Sequence, residues 1–194
     1  MRGSAAKRLP MRYALAPGIS AIPNVDVQAP VLTRMLNSTK LRLARPADLF
    51  PISRMSRELI EFGLGWSWTP ARVGREILST ESVVLTACHG DLVVAFAIMH
   101  FGDETAHLNL LAVEQEFQRS GIGGHLVAWL EESALTAGIA TVTLEVRAEN
   151  HAARQFYRSL GYREVAVVPR YYRGRESAIR MAHPLRPAIA QDAR

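Results

Sequence analysis

Gln118-Arg119-Ser120-Gly121-Ile122-Gly123-Gly124 stands between a strand-like run that ends at Val113 and a helical run whose Leu126, Leu130 and Ala134 recur on one face. Glycine lets a backbone turn tightly and come close to a ligand. The first amides of a helix are unpaired donors at the positive end of its dipole. A strand, a glycine-rich turn and a helix in that order therefore suit a pyrophosphate, although a helix start without a ligand has the same local form. The stretch lacks the Lys-Ser/Thr ending of a nucleotide P-loop and the three-glycine spacing of a dinucleotide fingerprint. NTP and NAD are disfavoured as ligands.

Working outward from the turn, periodicity gives the rest of the order. Leu41 and Leu43 form a short strand, and Pro46 opens a helix carried by Leu49, Ile52, Met55, Leu59 and Phe62. Gly63 and Gly65 interrupt it, and Thr69-Pro70 starts a second helix with Val73, Ile77 and Leu78. Ser82 to Ala87 and Leu92 to Phe101 are β-rich runs joined by a turn at Cys88-His89-Gly90-Asp91, and a third strand spans Thr105 to Val113. After the helix from Gly121 to Ala137 come a strand from Thr141 to Val146 and a helix that Asn150 can cap and Gly161 stops. A hairpin of Tyr162 to Val168 and Ser177 to Met181 closes the order. This is an α/β (α+β) arrangement, mostly antiparallel in its first half, with one crossover in the middle.

The chain has 194 residues and 48% hydrophobic content, enough for one domain with a sizeable core. A single cysteine, Cys88, rules out an intrachain disulfide framework, and no Cys/His spacing fits structural zinc. We expect no metal and a cytoplasmic protein, since residues 1–38 contain no membrane-length apolar run and no signal-peptide pattern.

The formal net charge of +5 lies outside the folded part. Residues 1–39 carry Arg2, Lys7, Arg8, Arg12 and Arg34 against Asp26, and residues 184–194 carry Arg186 and Arg194 against Asp192. We read residues 1–39 as a poorly ordered basic leader, 40–185 as the folded domain and 186–194 as a flexible tail. Such a leader is either merely solvated or makes weak ribosome or RNA contact through phosphates.

Gln118 to Gly123 resembles the Gln/Arg-x-x-Gly-x-Gly/Ala signature of the GNAT superfamily of N-acetyltransferases. The resemblance runs from about Leu41 to Leu185 and includes three more ordered blocks: Leu108 to Val113, Leu144-Glu145-Val146-Arg147-Ala148-Glu149-Asn150, and Phe156-Tyr157-Arg158-Ser159-Leu160-Gly161-Tyr162. The second of these, with Tyr171-Tyr172 and Gly174-Arg175-Glu176, looks closest to the N-terminal alanine acetyltransferases of ribosomal proteins. The chain departs from that pattern in a shorter loop after the tyrosine pair, in Ser177 where an acidic residue is usual, and in Gly124 where a cation is usual.

The resemblance implies a GNAT-like three-layer fold, with a mixed, largely antiparallel sheet of about six to seven strands and about four helices. It implies acetyl-CoA as co-substrate, lying along the backbone of Leu111, Ala112 and Val113, with Arg119, Ser120, Gly121, Ile122, Gly123 and Gly124 at its pyrophosphate and Asn150 at its pantetheine. His125 can stand in for the missing cation or simply face solvent.

Glu145 is the candidate general base, since an ammonium must lose a proton before its nitrogen can attack, and burial raises a carboxylate toward the working pH. The alternative is an ion pair with Arg147 or Arg154. Tyr157, two helical turns after Asn150, is implied as the acid that protonates the leaving thiolate, with an ordinary phenol pKa near about 10; a buried structural tyrosine is the alternative. Trp66 and Trp68, with Tyr171 and Tyr172, are candidate acceptor walls or plain core lids.

The implied activity is transfer of an acetyl group to a primary amine in a ternary complex, with a protein or peptide N-terminal α-amine as the leading acceptor. Small-molecule amines and lysine side chains are the rival acceptors. A non-catalytic acyl-CoA-binding sensor or ribosome-associated module is the rival of another class.

Overall fold

In a computed structural model, residues 38–186 are described; most of the leader and the tail lies outside them. Seven strands form one sheet: β1 (Thr39–Leu43), β2 (Ser82–His89), β3 (Leu92–Phe101), β4 (Thr105–Val113), β5 (Thr141–Arg147), β6 (Arg163–Tyr172) and β7 (Glu176–Pro184). Among the described residues four α-helices flank it: α1 (Leu49–Met55), α2 (Pro70–Leu78), α3 (Ile122–Thr136) and α4 (His151–Ser159). The strand order is β1-β2-β3-β4-β5-β7-β6. All neighbours are antiparallel except β4 and β5, which run parallel.

The long apolar runs of β2 and β3 are buried on both faces, which requires helices on both sides of the sheet. On one face Leu126, Leu130 and Ala134 of α3 pack with Leu85, Ala97 and Leu144. On the other, Ile52, Met55 and Val73 pack with Val84, Phe96 and Ile98. At about 1.5–3 kcal/mol for each fully buried aliphatic side chain, these two layers dominate the fold's stability.

The local signals act as expected at two helix starts. Thr69 accepts from the Arg72 amide at 3.4 Å with Pro70 in the first turn, and the Asn150 side chain accepts from the Ala153 amide at 3.0 Å.

Several boundaries differ from the sequence reading. The helix expected to reach Phe62 is α-helical only to Met55 and continues as a π turn over Ser56–Ile60. There the Glu61 carboxylate takes over, accepting from the Ser67 and Trp68 amides at 2.8 and 3.0 Å and from the Ser67 hydroxyl. Cys88 and His89 belong to β2, so the first hairpin turn is only Gly90-Asp91. β6 runs on through Tyr172, which leaves only Arg173 to Arg175 for the last turn.

Candidate active site

β4 and β5 pair only at Thr105 with Thr141, Ala106 with Val142 and His107 with Thr143. Beyond these residues the two strands part, and among the described residues β4 has no strand partner on its β5 side from Leu108 to Val113. A bulge lies at the start of the parting: Ile98 pairs with Leu110 and Met99 with Leu108, so Asn109 is the extra residue. One inserted residue exchanges the faces of everything after it. Ala106 and Leu108 therefore pack against the α3 layer, whereas Leu110 and Ala112 pack against the α1–α2 layer and Leu111 and Val113 turn back toward α3.

Leu111, Ala112 and Val113 thereby line a groove of about 470 Å3 whose other walls are Arg119, Gly121 to Gly124, Asn150 and the start of α4. Arg119 and Gly121 take left-handed backbone conformations, φ 59° and 90°. This double reversal delivers the chain into α3, whose first turn closes with the His125 amide on the Gly121 carbonyl at 3.1 Å. The amides of Ile122, Gly123 and Gly124 precede that bond and have no helical partner. A side chain at 123 would put its Cβ 3.3 Å from the Phe156 ring, so glycine keeps the groove open. Ser120 points away from the groove: it is buried, and its hydroxyl donates to the Phe117 carbonyl.

A narrow neck of about 130 Å3, lined by Leu111, Asn150, Ala153, Tyr157 and Glu145, shares wall residues with both the groove and a second pocket. Tyr157 is buried, with its ring edge-on to Phe156 and Tyr162 at centroid distances of 5.1 and 5.6 Å. Burial, aided by the nearby Tyr172 hydroxyl, holds its phenol well above the ordinary value, so it keeps its proton at any working pH.

The second pocket, about 290 Å3, contains Glu145, His107, Trp68, Tyr171 and Tyr172. The Glu145 side chain is only 6% exposed, and its carboxylate sits 2.6 Å from Arg180 Nε and 3.0 Å from His107 Nε2. Tyr171 donates to the same carboxylate at 3.3 Å, and the Tyr172 hydroxyl donates to the Glu145 carbonyl at 3.3 Å. Burial lowers the His107 pKa against the opposing pull of Glu145, so the imidazole is neutral near pH 7. Its Nδ1 stands 3.0 Å from the Thr143 hydroxyl, which donates to the Ala106 carbonyl at 3.3 Å. Burial pushes the Tyr172 phenol up to about 12.

Arg147 and Arg154, the ion partners read from the sequence, are engaged elsewhere. Arg147 donates to the Ile60 and Phe62 carbonyls at 3.0 and 2.7 Å, and Arg154 pairs with Glu164 at 2.9 Å. Trp66 does not join Glu145. It lines a separate depression with Phe50 and Pro70, and its indole donates to the Trp68 carbonyl at 3.1 Å; Trp68 is the indole in the Glu145 pocket.

A model of the acetyltransferase (GNAT) family matches residues 52–162, more than half of the chain. The chain belongs to the acetyltransferase (GNAT) family. It is 42% identical over 98 residues to a ribosomal protein bS18-alanine N-acetyltransferase of Salmonella typhimurium; the match takes in 49% of this chain and 66% of that relative, just under two thirds of its length. The crystal structure of the ribosomal-protein-S18-alanine N-acetyltransferase from Escherichia coli superimposes with a TM-score of 0.67 at 28% identity, covering 80% of this chain and 99% of that one. Arabidopsis thaliana NAA60 in complex with acetyl-CoA shares the fold at a TM-score of 0.67 and 15% identity, covering 75% of this chain and 98% of that one.

Within this GNAT fold several groups at the site were not singled out from sequence. Phe117, Ala152 and Phe156 line the groove, and the Gln118 side-chain amide donates to the Val113 carbonyl at 3.0 Å, tying the glycine turn to β4. Arg180 faces Glu145 because the two are cross-strand neighbours in the β5–β7 register. The alternation of the small or polar Ala178, Arg180 and Ala182 with the large apolar Ile179 and Met181 was the available signal. Among the described residues no helix is long and apolar enough to cross a membrane.

Proposed function

We propose that the protein transfers the acetyl group of acetyl-CoA to a primary amine, with a protein or peptide N-terminal α-amine as the leading acceptor. The observation that carries this reading is the row of cavities along the β4–β5 parting that share wall residues: unpaired helix amides at one end, and Tyr157 with Glu145 at the neck. The first opening suits pyrophosphate and pantetheine, the neck admits a thioester, and the buried carboxylate faces the acceptor. The alanine acetyltransferase relatives support a protein N-terminus as the acceptor.

In this mechanism Arg119 and the amides of residues 121–124 bind the pyrophosphate, and Asn150 meets the pantetheine. Glu145 accepts the proton of the bound ammonium, directly or through one water, and the freed amine attacks the thioester carbon. Backbone amides of Leu111 to Val113 hold the developing oxyanion. As the C–S bond breaks, Tyr157 gives its proton to the sulfur, and the second proton that the nitrogen loses on becoming an amide restores the phenol, directly or through water. Tyr171 and Tyr172 form the acceptor wall. Residues 40–185 constitute the catalytic domain, working in the cytoplasm, where the lone, buried Cys88 stays reduced.

The test is thiol release from acetyl-CoA with a peptide beginning in a free Ala or Ser, its N-blocked form, and small amines. Turnover on the free peptide alone supports the reading. Turnover on the blocked peptide through lysine, or on small amines only, transfers the function to those acceptors. Acetyl-CoA binding by thermal shift without turnover on any amine identifies a sensor.

A further inference from the structure

The acceptor pocket has two arginines that nothing in the reaction above uses. Arg72 lies over the Trp68 ring, its guanidinium carbon 3.8 Å from the ring centroid. Stacking fixes the plane of the guanidinium and leaves its N–H edges for a ligand. Arg173 reaches the same pocket from the tight β6–β7 turn, where it takes a left-handed conformation, φ 50°. Its guanidinium rests on Gly65, where a Cβ would come within 2.7 Å of Nη2, so the glycine makes its seat.

Neither arginine forms an ion pair with a described residue, although both share the pocket with two carboxylates. Those carboxylates are already engaged. Glu61 accepts from Ser56, the Ser67 amide and hydroxyl and the Trp68 amide, and Glu145 is held by Arg180, His107 and Tyr171. Two guanidinium groups with open donor edges beside a site for an amine favour an anion, and planar forks match a carboxylate best.

We infer that Arg72 and Arg173 form a carboxylate subsite, so that the preferred acceptor carries an acidic group a few bonds from its reactive amine. This rests on the reading that the Glu145 pocket takes the acceptor. The carboxylate is the side chain of Asp or Glu at the second or third position of a peptide, or the α-carboxylate of a free amino acid. A pocket of about 290 Å3 has room for only the first residues of a peptide or for one amino acid.

The experiment compares Ala-Glu and Ala-Gln peptides that are otherwise identical, and free alanine against its α-amide, which lacks the carboxylate. Each is measured by calorimetric binding to the protein saturated with CoA and by acetylation kinetics. We expect the acidic member of one pair to bind at least tenfold more tightly, with the gain in KM. Which pair responds distinguishes a peptide side chain from a free amino acid. Arg72→Gln and Arg173→Gln should each bring the acidic-to-neutral ratio down several-fold, whereas Arg175→Gln, outside the pocket, should retain it. Equal binding of acidic and neutral partners in both pairs overturns the subsite, and so does an equal fall in the ratio with Arg175→Gln, which would mark a general charge effect. Because binding is read without turnover, an acidic preference with no acetylation overturns the catalytic reading and leaves the subsite standing.

Discussion

Arg180 Nε lies 2.6 Å from Glu145 Oε1, across the β5–β7 register, and fixes the one buried carboxylate in the neck between the two pockets. His107 and Tyr171 hold the other oxygen. Glu145→Gln keeps the shape and removes the proposed base, so kcat should fall by about 10²–10⁴-fold with little change in acetyl-CoA affinity. Arg180→Met should cost less than Glu145→Gln, because two of the three supports remain. Rapid-mixing kinetics on both variants test the order; an Arg180 variant slower than the Glu145 variant would refute it.

Tyr157 combines burial with a raised phenol pKa, which suits an acid that must stay protonated until sulfur departs. Tyr157→Phe should reduce kcat by about 10²-fold or more while preserving fold and groove. In the wild type, no alkaline loss of kcat should arise from this phenol up to about pH 10. A limb that disappears in Tyr157→Phe at lower pH would contradict the assignment.

His107 contributes a pH dependence of stability whose sign is set by burial. Its pKa is lowered below the ordinary imidazole value of 6.5 by burial and by Arg180 and His100, against the raising effect of Glu145. The unfolded chain therefore binds more protons just below 6.5, and stability declines as pH falls from that value toward the lowered pKa. Thermal melts between about pH 7 and pH 5 should show this slope, and His107→Asn should flatten it. An unchanged slope in the variant would show that another group carries it.

Much of this architecture was legible because it is local. Thr69-Pro70, Asn150 and the glycines at 121, 138 and 161 act through neighbouring backbone groups, and each stands where its chemistry requires. The bulge at Asn109 is a matter of register between strands: its one sequence trace is the doublet Leu110-Leu111, which breaks the alternation of β4. The partners of Glu145 are likewise decided by strand order. Arg147, two residues along, shares its face, but the loop carbonyls of Ile60 and Phe62 and the Glu176 carboxylate take it, while Arg180 comes from β7. The choice between Trp66 and Trp68 rested on a loop whose course is set by Glu61, a residue with no motif around it.

Gly123 separates the groove's role from the fold's stability. It sits in the first turn of α3, and its φ is not among the left-handed ones, so a side chain there carries no backbone strain. A Cβ would meet the Phe156 ring at 3.3 Å and the Val113 side chain at 3.6 Å, both on the groove wall. Gly123→Val adds two further methyl groups into that space, beside the amides proposed to bind pyrophosphate. Helix propensity changes by only a few tenths of a kcal/mol between these residues, in favour of valine. Acetyl-CoA affinity should therefore fall by more than tenfold while the melting temperature changes little. Gly121→Ala should do the reverse, because φ is 90° at that position and a left-handed non-glycine residue costs about 1–2 kcal/mol. Calorimetric titration and thermal melts on the two variants provide the comparison; equal losses of affinity and stability in both would mean that the glycines serve only the turn.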